Sequence, residues 1–139
     1  MIHARKVDAG MKDVAGLMHL AFKLTHEVSE AGLDLGQAPS LRKGRSYSRQ
    51  ITDSGVSALA QVAAASAIFP SSDYGARMEA ARALRGARED LRRFKDSVKR
   101  AVAAGQIAPD CAELLTKVDE LTVILMALAI EVRGNSLAA

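Results

Sequence analysis

The chain has no tryptophan, two tyrosines and three phenylalanines among its 139 residues, so a core has to be built from aliphatic side chains. An aliphatic core suits closely packed helices better than sheets, where aromatic and β-branched residues prevail. Cysteine occurs once, at Cys111. A single thiol excludes an internal disulfide and a cysteine metal framework, and it predicts a reducing, cytoplasmic setting. The longest apolar run, Val123 to Ile130, falls far short of the roughly 20 residues that a membrane-spanning helix needs. The basic start, Met1-Ile2-His3-Ala4-Arg5-Lys6, is followed by no apolar stretch of leader length, so an intracellular protein with no membrane partner is expected. Neither sign of charge dominates. Nineteen Lys and Arg against 16 Asp and Glu leave a net +3, which permits a polyanionic partner without requiring one.

What the chain does have is helical periodicity. Its length is that of one domain with one core, and 49% hydrophobic against 25% charged residues is the balance of a folded protein. Four stretches carry apolar residues at three-to-four spacing, predicting helices over about 11–31, 46–69, 73–104 and 109–133 within a single domain, 1–139. In the first, Val14, Leu17, Met18, Ala21, Leu24, Val28 and Ala31 form one stripe, opposite His19, Lys23, His26 and Glu30. Gly32 is expected to stop this helix, and the breaker-rich segment to Gly44 to be a loop. In the second, Ile51, Gly55, Ala58, Val62 and Ala65 face inward. Gly55 lowers helix propensity by about 1 kcal/mol relative to Ala, for which close packing is the natural reason.

Pro70-Ser71-Ser72-Asp73 is a break followed by N-cap residues. The third helix then carries Leu84, Ala87, Leu91, Phe94, Val98 and Ala101 on its apolar face and ends at Gly105, a left-handed cap. Pro109 suits the first turn of the fourth helix, and Gly134 and Asn135 its end. Short connections make helices two, three and four antiparallel neighbours, so the expected fold is all-α, an up-and-down four-helix bundle.

The fourth helix is apolar almost all the way round. Besides its core row of Leu121, Leu125, Leu128 and Val132 it carries Val123, Ile124, Met126 and Ile130. A bundle helix needs one apolar stripe; a second predicts a subunit interface formed by those four residues.

Two basic groups stand out: Arg42, Lys43, Arg45 and Arg49 around the start of helix two, and Arg85, Arg88, Arg92, Lys95 and Lys99 along helix three. An up-down order puts the start of helix two beside the end of helix three and the positive end of helix four. Phosphate would be attracted there. Glu89, Asp90 and Asp96 interleave with the stripe and can pair with it. No aromatic residues are interleaved for stacking, so backbone contact is expected rather than base reading.

Catalytic patterns are missing. His19 and His26 share a face seven residues apart, with no Glu-x-x-His pair to make a carboxylate metal site. Cys111, near the start of helix four, is expected to be a small packing residue; a thiol lowered by the helix dipole would need a base that the sequence does not indicate. No strand precedes a glycine-rich phosphate loop. A protein without enzymatic activity, cofactor or metal is expected.

The segment Gln50-Ile51-Thr52-Asp53-Ser54-Gly55-Val56-Ser57-Ala58-Leu59-Ala60-Gln61-Val62-Ala63 resembles the helix-two signature of a bacterial family of four-helix bundles. These are proteins related to those encoded in intervening sequences of 23S ribosomal RNA genes, with the pattern Q-I-R-R-A-A-x-S-I-x-x-N-I-A-E-G. Gln50, Ile51, Ser57 and Ala63 match its letters, and Val56 and Ala60 fall at its open positions. Ala87 and Leu91 are similar to the family's A-x-x-S-L, with Asp90 in place of Ser, and Ala104-Gly105-Gln106-Ile107 to its L-G-Y-I connection. The pattern's paired arginines are Thr52 and Asp53 here, and its Glu-Gly is Ala64-Ala65, so no role of those groups carries over.

The resemblance implies an up-and-down bundle assembled as a ring-shaped homopentamer. One branch of the family comprises accessory proteins of diversity-generating retroelements, which bind the element's reverse transcriptase and its RNA or DNA through a basic surface. The expected function is therefore a homo-oligomeric bundle that binds nucleic acid through Arg42, Lys43, Arg45, Arg49, Arg85, Arg88, Arg92, Lys95 and Lys99, with a reverse transcriptase as partner. The alternative is a protein-interaction scaffold whose basic stripe only solubilises it.

Overall fold

In the computed structural model, described for residues 10–37, 45–107 and 110–138, four helices follow one another: α1 (Gly10–Gly36), α2 (Arg45–Ile68), α3 (Tyr74–Ala103) and α4 (Ala112–Ala138). Side chains are described from Val14, Tyr47 and, at the end of α4, up to Gly134. Each helix packs on two neighbours, α1 on α2 and α4, α3 on α2 and α4, which closes an up-and-down four-helix bundle. The most extensive seam joins α2 to α3 and the thinnest joins α1 to α4.

The core is the aliphatic one that the composition requires. Val14, Met18, Ala21 and Val28 meet Ile51, Ala58 and Val62, and these meet Leu84, Leu91, Val98, Leu121, Leu125 and Leu128. Burying each leucine fully is worth about 1.5–3 kcal/mol, so no single residue holds the bundle together. One aromatic ring, Phe94 on α3, is fully buried. Gly32 on α1 leaves room for it, since a Cβ there would lie 2.6 Å from Phe94 Cε2, whereas one at Gly55 on α2 would lie at an ordinary contact distance of 3.5 Å.

That packing explains why α1 continues past Gly32, where the sequence predicted its end. The glycine there is a seat for the ring, and the helix runs one more turn to Gly36, whose carbonyl accepts a hydrogen bond from Ser48 Oγ at 2.7 Å. The start of α4 also differs. It begins at Ala112 rather than at Pro109, which lies outside the described residues, and it continues through Gly134 and Asn135 to Ala138. The third helix matches its expected limits closely. Asp73 caps α3 by accepting from Ala76 N–H at 2.9 Å. At its end Gly105, at φ 72°, lets Gln106 N–H reach the Ala101 carbonyl and its own N–H reach Val102, which is a Schellman cap.

Register is fixed by polar contacts. Along the α2–α3 seam Gln50 meets Ser97 and, seven residues on, Ser57 meets Asp90 seven residues back. Lys117 Nζ donates to Glu27 Oε1 at 2.9 Å between α4 and α1, and Lys95 Nζ to Asp119 Oδ1 at 2.7 Å between α3 and α4. No helix among the described residues is long and apolar enough to cross a membrane.

Candidate nucleic-acid interface

Basic residues concentrate on α3, which carries nine Lys and Arg against four Asp and Glu. Spacing sorts them onto two flanks of the helix. Arg85, Arg88, Arg92 and Lys95 point toward α4, where with Val118, Asp119 and Thr122 they line a groove of about 500 Å³. Lys99, exposed, continues this row by one turn. Arg93 and Arg100 point toward α2, and with Arg49, Asp53 and Asp96 they line a second groove of about 510 Å³.

The sequence distinguished two basic groups and brought them together at one end of the bundle. The structure divides the α3 cations between two seams, because residues three or four apart share a flank of the helix while adjacent ones such as Arg92 and Arg93 diverge. Arg49 and Arg100 line one groove, as the antiparallel order predicts, but the row Arg85–Lys95 lies on the other side of the helix. Arg42 and Lys43 lie outside the described residues; Arg45 opens α2, and its side chain is not among those described.

The two grooves differ in electrostatics. Beside α2 the charges nearly cancel. Arg93 Nη1 lies 3.2 Å from Asp90 Oδ1, Arg100 Nη2 lies 3.5 Å from Asp96 Oδ2, and Asp53 faces the same space. Beside α4, Arg92 sits 3.4 Å from Glu89 and Lys95 is held by Asp119. Arg85, Arg88 and Lys99 take part in no ion pair among the described residues. The Nε of Arg88 is enclosed and has no acceptor. The floor of this groove includes Leu91 and Val118, both fully buried.

Sequence reading did not find the polar seam between α2 and α3. Asp90, 5% exposed, accepts from Ser57 Oγ at 2.6 Å and Gln61 Nε2 at 2.9 Å, and Ser97 Oγ donates to Gln50 Oε1 at 3.0 Å. The Gln61 amide occupies space that only Gly86 leaves free. The available signal was Gln50, Ser54, Ser57 and Gln61 at four-three-four spacing, a polar stripe beside the apolar one. Arg77, in the first turn of α3, is likewise buried, with Nη1 unpartnered.

Of the expected interface residues on α4, Val123 is 66% exposed, Ile130 64% and Met126 43%; Ile124 is half-buried and packs on the core of its own chain. The register set by Glu27 and Lys117 brings Leu20 of α1, also exposed, to the level of Ile124. His19 is exposed and His26 pairs with Glu30 at 3.6 Å. Among the described residues no group of three His, Cys, Asp or Glu is arranged to hold a metal. Burial, and secondarily the Asp110 carboxylate, push the Cys111 thiol above its ordinary pKa, the opposite of what a nucleophile needs.

No protein-family model, curated protein or solved structure matches the chain.

Proposed function

We propose that the protein is a non-enzymatic, self-associating helical bundle that holds nucleic acid by its phosphate backbone. The observation that carries this reading is the row Arg85, Arg88, Arg92, Lys95 and Lys99 along one flank of α3, in which three cations enter no ion pair among the described residues. Unpaired cations in a row are the arrangement that releases counterions from a polyphosphate when it binds. Contacts of this kind position a strand without reading its bases.

The exposed apolar residues Val123, Met126 and Ile130 supply the self-association surface. The resemblance to the bundle family of ribosomal intervening sequences supports a pentameric ring and a reverse transcriptase as the protein partner.

Fluorescence anisotropy of a labelled oligonucleotide at low salt tests the reading. The wild type is expected to bind, and R85E/R92E, which reverses two exposed charges, is expected to lose binding while melting normally. A wild type that binds neither RNA nor DNA at low salt overturns it. A protein partner captured after nuclease treatment and retained at high salt would then favour the scaffold reading, in which the α4 face makes the useful contact.

A further inference from the structure

Resting on the nucleic-acid reading, we infer that the α3–α4 groove is a track for a single strand, with Arg88 as its innermost phosphate contact and Asp119 as a built-in competitor. Four observations select this groove over the one beside α2.

First, its cations outnumber its carboxylates, with Arg85, Arg88, Arg92 and Lys95 against Glu89 and Asp119. In the groove beside α2, three arginines face three aspartates. Second, Arg88 lines the groove and its Nε is enclosed without an acceptor among the described residues, so its guanidinium has no partner to give up there before its outer nitrogens meet a phosphate oxygen. Third, the apolar floor of Leu91 and Val118 keeps water from one side, which strengthens a charge contact made above it. Fourth, the row runs straight. From Arg85 to Lys99 it covers 14 residue steps, about 21 Å along the helix. A flexible strand can follow a straight row over that length, whereas each backbone of a duplex winds away from it after a few phosphates.

Asp119 gives the groove an internal regulator. Its carboxylate holds Lys95 Nζ at 2.7 Å across the groove. A phosphate arriving at Lys95 has to displace that carboxylate or bind beside it, against repulsion from the negative charge. Neutralising Asp119 therefore frees one cation and removes one repulsive charge. Because no aromatic side chain lines the groove, affinity rests on phosphate contacts alone, with neither stacking nor sequence preference.

The test is anisotropy at low salt with a labelled oligothymidylate of about 20 nucleotides, a mixed-sequence strand and a duplex of the same length. It uses the wild type, R85A/R88A/R92A, R49A/R93A/R100A and D119N, each checked by thermal melting. The groove variant is expected to lose about tenfold or more in affinity for the strand. The three-arginine variant beside α2 should stay within about threefold, and D119N should bind about threefold more tightly. The gain in D119N guards the conclusion, since a misfolded protein does not bind better. The inference is overturned, and the nucleic-acid reading survives, if both triple variants lose affinity alike, if the duplex binds as tightly as the strand, or if D119N binds no better. If the wild type binds no probe at all, both fall together.

Discussion

At the scale of single residues, one amino acid type serves opposite ends. Gly32 is the seat for the Phe94 ring, and a Cβ there would come within 2.6 Å of it, whereas a Cβ at Gly16 would meet nothing within 4 Å. Both lie inside α1. Gly16→Ala is therefore expected to stabilise the protein by about 1 kcal/mol through helix propensity. Gly32→Ala is expected to destabilise it, because overpacking a fully buried ring costs about 1–3 kcal/mol and outweighs the same propensity gain. Urea midpoints decide this, and Phe94→Leu should restore much of the loss. Shifts of the same sign at both glycines would show that Gly32 has no packing role. Asp90→Ala is expected to cost about 1–3 kcal/mol, since Ser57 and Gln61 lose their acceptor on the seam.

At the scale of helices, the thin α1–α4 seam carries the ion pair between Lys117 and Glu27. The hydrogen bond from Lys117, then its charge, holds the Glu27 carboxyl below the ordinary carboxylate range, against a smaller opposing effect of burial. A carboxyl depressed by folding adds stability above its unfolded pKa and loses that contribution as pH falls through its folded one. Thermal midpoints are thus expected to drop on acidification below the ordinary carboxylate range, and E27Q is expected to lack that component. An acid-side decline equally steep in E27Q would contradict the assignment. Both side chains are more than a third exposed, so the effect should be modest.

What was legible in the sequence also sorts at this scale. The inward residues of all four helices and both caps of α3 followed from spacing and cap chemistry. The limits of α1 and α4 did not. Gly32 and Gly134 carry the same local signal as Gly105, and only tertiary contacts make the first a packing residue. One-dimensional spacing put Arg92 and Arg93 about 100° apart around α3, but did not show which groove each looks into. That division needs the identity of the neighbouring helix on each side.

For the whole molecule, the described residues present an apolar surface on α4 and a basic one on α3. Val123 and Ile130 are each about two-thirds exposed, so V123E/I130E should leave the fold intact and reduce a self-associated protein to single subunits in sedimentation equilibrium. A wild type that sediments as one subunit at micromolar concentration would remove the assembly from the proposal. The basic surface carries the central claim, and its most direct test is the salt dependence of wild-type binding to a single strand. If the α3 row neutralises phosphates, log affinity should fall linearly with log salt, with a slope near −0.7 for each phosphate contacted, about −2 to −4 for three to five contacts. A salt-independent affinity, or none at low salt, would contradict it.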